Sequence, residues 1–174
     1  MQDHILSVPF YSQYLDVTDP HWMIRSCSII CLKMAFDYYG VNAPTPDQLI
    51  AEGLEAGAHG PSGWYHDGII ALGQKYGLTA SRKEKMDPDS GSQEIANLIK
   101  ENTLVIASVP FLILGRKKFH TILIVGFKEG EDGKLQGFYY HDPASDNRES
   151  GKAEYCDLET FKKEWRRMAI FLKK

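Results

Sequence analysis

"HWMIRSCSIICLKMAFDYYG", residues 21–40, approaches through polar residues, reaches Cys27, and then stays almost wholly apolar until Gly40. Glycine just past an apolar run is a stop signal, so the run after Cys27 predicts a helix that ends there. Only Lys33 and Asp37 interrupt its apolar surface, and at a spacing of four they share one narrow face. A helix so poor in polar residues belongs in the middle of a domain. The thiol at its threshold has two readings. It is either a small buried hydrophobe, as free cysteines usually are, or a nucleophile held where a helix begins.

On the N-terminal side, "ILSVPFYSQ" (5–13) reads as extended chain leading to a loop with Asp16, Thr18, Asp19 and Pro20. On the C-terminal side, "NAPTPDQLIAEGLEAG" (42–57) predicts a short helix after Pro46 with Thr45 as its cap. "GPSGWYHDGIIALGQKYGL" (60–78) predicts a loop and then a helix closed by Gly77, and "SQEIANLIKEN" (92–102) a further helix. The character then changes. "TLVIASV" (103–109), "HTILIVGF" (120–127) and "LQGFYYHD" (135–142) are rich in β-branched and aromatic residues and lie between turn signals, so they predict strands. "DLETFKKEWRRMAIFLKK" (157–174) adds a final strand or short helix. Helices followed by strands indicate an α+β class, with an N-terminal helical part packed on a C-terminal antiparallel sheet.

At 174 residues the chain fits a single domain spanning 1–174, and its 43% hydrophobic and 25% charged residues are ordinary for a globular protein. A net charge of −3 gives no electrostatic footprint for nucleic acid, which is set aside as a partner. The short basic runs at Arg116–Lys118 and Arg166–Arg167 read as solvated surface. The longest apolar run, "LVIASVPFLILG" from Leu104, contains Pro110 and is too short for a bilayer, which needs about 20 residues. The N-terminus lacks the basic start and apolar stretch of a secretory signal. Three cysteines do not make a disulfide framework, and together with the missing signal they favour a reducing, cytoplasmic location over secretion.

A hairpin loop centred near Glu131 would pair residues whose numbers total about 262, setting His120 opposite Asp142. Directly opposite residues share a face of the sheet with Cβ atoms about 4.5–5.5 Å apart, within reach of an imidazole–carboxylate hydrogen bond. Such a carboxylate fixes the ring tautomer and favours the imidazolium, leaving the other nitrogen to act on a thiol. Cys27 needs that help. Lowering a thiol by three pKa units takes roughly 4 kcal/mol, whereas a helix N-terminus supplies only about 0.3–2 kcal/mol. Gln13, 14 residues before Cys27, carries an amide suited to holding an oxyanion together with the N–H of Cys27.

These stretches, in the order "VPFYSQ", a tryptophan five residues before a cysteine, "C…CLKM…YYG", "GWYHDGIIALGQKYGL", "FHTILIVGF" and "HDP", resemble papain-fold cysteine peptidases of the bacteriocin-leader-processing, double-glycine type and their stand-alone bacterial relatives. The resemblance covers nearly the whole chain. It implies a papain-like fold in which Cys27 is the nucleophile, His120 the general base and acid, Asp142 the orienting residue and Gln13 part of the oxyanion hole. Two departures stand out. Family members commonly follow the nucleophile with glycine and often proline, where this chain has Ser28 and Ile29. Leader-processing members are often fused to a membrane transporter, and none is encoded here.

The expected activity is hydrolysis of a peptide or related amide bond through an acyl-enzyme, on a peptide or protein substrate, with no cofactor and no metal. Two alternatives stand beside it: an acyl transferase using the same triad, and a non-catalytic peptide-binding module. Cys31 reads as core, Cys156 has no assigned role, and His141 is expected to point to the opposite face from Asp142. A zinc reading of His59 and His66 lacks the tight paired spacing that structural zinc sites use. Their loop reads as the lining of a substrate groove or as packing for Trp64.

Overall fold

The computed structural model describes residues 2–110 and 119–174. The basic run at 116–118 and the second half of the apolar run from Leu104 lie outside the described residues.

The helix that follows Cys27 is α3 (Cys27–Tyr38), preceded by two single turns, α1 (Gln13–Asp16) and α2 (Pro20–Met23). Eight of its twelve residues are buried. Burying an aliphatic or aromatic side chain contributes about 1.5–3 kcal/mol, so Ile29, Ile30, Leu32 and Phe36 anchor the helix strongly. Its one polar stripe is used as well. Lys33 pairs with Asp37 at 2.7 Å, and the Tyr11 hydroxyl donates to Asp37 at 2.6 Å, which docks the N-terminal segment on the helix.

Helix α4 (Pro46–Glu55) starts at Thr45 with the expected cap, completed into a capping box by Gln48. Helices α5 (His66–Lys75) and α6 (Pro88–Lys100) follow, the latter starting earlier than the sequence pattern indicated because Asp87 caps it and Pro88 occupies its first position. The C-terminal stretch holds both alternatives, α7 (Leu158–Glu164) and then a strand.

The strands are β1 (Gln2–Ile5), β2 (His59–Gly60), β3 (Gly63–Trp64), β4 (Thr79–Lys83), β5 (Leu104–Val109), β6 (His120–Glu129), β7 (Leu135–His141), β8 (Glu154–Asp157) and β9 (Ala169–Lys173). Seven form one antiparallel sheet in the order β4-β9-β5-β6-β7-β8, with β1 also paired to β6; β2 and β3 form a separate hairpin. Alternate residues serve opposite faces, as the period of two requires. Leu104, Ile106, Leu123 and Val125 pack with α3, α4 and α5, while Val105, Ala107, Ile122 and Ile124 pack with α6 and α7. The class is α+β, as the order of elements indicated. Strand β4 escaped the sequence pattern because "TASRK" is an edge strand with little to bury.

The β6–β7 register differs from the expected one. Glu129 pairs with Leu135, so the loop is 130–134 and centres on Asp132 rather than Glu131. Gly133 adopts a φ of 72°, and the N–H of Lys134 donates to the Asp132 carboxylate, which keeps Lys134 in the turn. Gln136 is then an extra residue on β7 and Val125 an extra residue on β6; the two bulges offset each other, and Leu123 faces His141. Continued one step, that ladder sets Asp142 beside Ile122. His120 lies two residues further along the same face, a diagonal neighbour within reach of a long side chain.

Candidate active site

His120 begins β6, and Asp142 follows the last residue of β7. Nε2 of His120 lies 2.6 Å from Oδ1 of Asp142, and both residues are buried, each 5% exposed. With Nε2 so engaged, Nδ1 is the ring nitrogen left for the thiol. Cys27 is the first residue of α3 and lines the same cavity as His120. Burial pushes its thiol up, but the hydrogen bond and charge of His120, together with hydrogen bonds from Thr121, outweigh that and bring it down to about 7. Burial pushes His120 down, but its bonds to Asp142 and Cys27 raise it to about 10. A thiolate–imidazolium pair is the state these shifts describe.

The start of α3 leaves main-chain donors open. Ser26, the N-cap residue, makes no side-chain cap; its hydroxyl donates instead to the Trp22 carbonyl at 2.7 Å. The N–H groups of the first turn therefore lack the usual capping acceptor beside the sulfur. Gln13 is buried, and its own N–H donates to the Pro143 carbonyl at 2.8 Å, one residue past Asp142. Its Oε1 is buried and has no hydrogen-bond partner among the described residues. Gln13 does not contribute to the wall of the cavity beside Cys27.

That cavity has a volume of about 860 Å³ and is lined by Cys27, Ser28, His120 and Thr121 on one side and by the hairpin loop from His59 to Asp67 on the other. Trp64 is buried behind the hairpin, its indole N–H donating to the Arg25 carbonyl at 2.8 Å and its ring tilted against Trp22. The loop thus both lines the groove and packs Trp64, which meets α4 and Trp22.

A model of the Peptidase_C39 like family matches residues 5–170. The chain belongs to that family. As a C39-like protein it is a papain-like cysteine peptidase. Its fold is similar to that of a C39-like peptidase candidate from Bacillus anthracis, with a TM-score of 0.71 at 18% identity, covering 100% of this chain and 98% of that one. It is also similar to the double-glycine-motif protease of an AMS/PCAT transporter, solved with its leader peptide (TM-score 0.63, 19% identity, 98% and 94% covered). The peptidase domain of Streptococcus ComA gives a TM-score of 0.58 at 22% identity, with 98% of each chain covered. No curated protein sequence matches the chain.

The two departures from the C39 pattern have distinct places in this peptidase. Ile29 turns into the core and is fully buried. Ser28 lines the cavity, its hydroxyl 3.2 Å from that of Thr121. Thr121 is the site residue that sequence reasoning missed. Its only signal was its position next to His120, and its contact with Ser28 joins chain segments more than ninety residues apart.

The remaining candidates have structural places. His141 faces away from Asp142, donating from Nε2 to the Val8 carbonyl at 3.0 Å and accepting the Ala153 N–H on Nδ1 at 3.0 Å; burial holds it below the ordinary histidine range. It pins the "VPF" segment that leads to Gln13. Cys31 is fully buried and its thiol is pushed up by that burial; Cys156 is buried and raised to about 12. Among the described residues, no group of three or more His, Cys, Asp or Glu side chains is placed to hold a metal ion. Among them, too, no helix is long and apolar enough to cross a membrane.

Proposed function

We propose that this C39-like protein hydrolyses a peptide or related amide bond through Cys27, His120, Asp142 and Gln13. The observation that carries the reading is the buried His120–Asp142 pair, 2.6 Å apart, with His120 on the same cavity wall as Cys27. The Cys27 thiolate attacks the carbonyl carbon, and the oxyanion is held by the Cys27 N–H and the Gln13 amide. A half-turn about the last torsion of Gln13 exchanges its unpaired oxygen for a donor. The His120 imidazolium then gives its proton to the departing amine, leaving a thioester on Cys27 and a neutral ring. That ring takes a proton from water, which attacks the thioester and releases the acid. Asp142 keeps the ring oriented and stabilises its charged form throughout.

The solved relatives with a leader peptide or in a quorum-sensing transporter support a peptide as the substrate class. A mixed peptide library incubated with the protein and read by mass spectrometry tests the reading. New termini with the wild type, absent with Cys27→Ala, are the expected result. Transfer to an added amine in preference to water would make the protein an acyl transferase. Absence of any acyl-Cys27 species in either case would leave the binding-module alternative.

A further inference from the structure

The cavity beside Cys27 is electropositive in a chain whose net charge is −3. Its wall includes Arg25, Arg82 and Arg166 against one carboxylate, Asp67. Arg82 is already paired, with Nε 3.0 Å from Asp67 and Nη1 on Glu84. Arg25 and Arg166 have no carboxylate partner among the described residues. His120 on the same wall is raised and belongs to the reacting pair. Burial, then the nearby arginines, hold His59 and His66 below the ordinary range.

Both arginines are positioned next to the reacting pair. Arg25 stands two residues before Cys27 and donates one Nη1–H to the His21 carbonyl at 2.7 Å, its other donors having no partner among the described residues. The guanidinium of Arg166 lies over the ring of Phe119, with Cζ 4.0 Å from the centroid, and Phe119 directly precedes His120. The main chain of Arg166 is fixed by its N–H on the Ser108 carbonyl at 2.9 Å, and the neighbouring Trp165 is buried with its indole N–H on the Met168 carbonyl. A guanidinium stacked on a ring keeps its donors around its edge, where a carboxylate can meet two of them at once.

We propose that Arg25 and Arg166 form a carboxylate clamp in this cavity, so that the peptidase selects peptides with an anionic group close to the bond presented to Cys27. This rests on the cavity being the substrate site of the proposed hydrolysis. A carboxylate can come from an acidic side chain or from a free C-terminus.

The test uses the Cys27→Ala chain and short fluorescein-labelled peptides that differ by Glu, Gln or Lys at one position at a time, each made with a free and with an amidated C-terminus. Fluorescence anisotropy gives Kd at low and at high salt. Glu at some position, or the free C-terminus, is expected to bind about tenfold more tightly than Gln or the amide. Which of the two gains identifies the source of the carboxylate. The gain should shrink in high salt, and Arg25→Glu with Arg166→Glu in one chain should turn the preference towards Lys. Anionic and neutral peptides of equal Kd, within about twofold, would overturn the clamp. So would an anionic preference that survives Arg25→Gln with Arg166→Gln, or no binding of any peptide at about 1 mM. Because the readout is binding, an anionic preference without cleavage by the wild type would remove the hydrolase reading and keep the clamp.

Discussion

His120 Nε2 and Asp142 Oδ1 are 2.6 Å apart, and the same carboxylate oxygen accepts the N–H of Ala144 at 2.8 Å. The main-chain N–H of Asp142 also donates to the Gly151 carbonyl at 2.7 Å, so the turn after β7 holds the carboxylate independently of the histidine. Asp142→Asn removes the charge and keeps the shape. The alkylation midpoint of Cys27 should rise from about 7 towards the ordinary thiol value of about 8.5. Turnover should fall on the order of 10²- to 10⁴-fold, with circular dichroism unchanged. An unmoved midpoint would exclude Asp142 from the relay.

The two shifted groups set a pH window. As pH falls through about 7, Cys27 regains its proton and the nucleophile is lost; as pH rises through about 10, His120 loses its proton and the acid is lost. A plot of kcat/KM against pH should therefore be bell-shaped between those limbs. Iodoacetamide labelling should rise along the same lower limb and mark Cys27 alone, because Cys31 and Cys156 are buried and raised. Labelling of all three at one rate would contradict it.

Thr121 lines the cavity beside Cys27 and lowers its thiol by hydrogen bonding, and its hydroxyl sits 3.2 Å from that of Ser28. Thr121→Val keeps the shape and deletes the donor. The Cys27 midpoint should move up by about one unit, the 1.4 kcal/mol of a charge-assisted hydrogen bond. Thermal unfolding reports separately on the cost to the fold of leaving Ser28 without that partner.

Gln13→Ala should lower kcat about 10²- to 10³-fold, the cost of one oxyanion donor, while leaving the alkylation midpoint of Cys27 where it is. Steady-state kinetics and labelling on the same preparation separate the two. A loss in kcat below about threefold would leave the main-chain amide as the sole donor.

Gly53 of α4 leaves room for Trp64: a Cβ there would lie 2.5 Å from Cζ3 of the indole. Gly53→Ala should therefore push the β2–β3 hairpin and cost about 1–3 kcal/mol in urea unfolding. Since His59 and Gly60 of that hairpin line the cavity, KM for a cleaved peptide should rise with kcat less affected. Full stability would show that the hairpin yields freely.

Much of the site was legible because its parts are marked locally. A stop glycine and an apolar run delimit α3 to within its last turn, and β-branched runs bounded by turns mark β5, β6 and β7. Parity did the rest for His120 and Asp142. The hairpin register was two residues off, yet an even slip keeps both side chains on one face, so the contact survived the error. Thr121 and the arginines had no such local mark, since hydroxyls and guanidinia are ordinary on any surface.

The chain's own order of residues determined the class of fold, the helix headed by Cys27, and the strands that carry His120 and Asp142, because hydrophobic period and turn chemistry act over a few neighbours. The tertiary structure alone decided the diagonal pairing produced by two offsetting bulges, the lowered pKa of His59 and His66, and the gathering of Arg25 and Arg166 around one cavity. Those depend on burial and on charges brought together from distant segments, and short-range pattern carries no information about either.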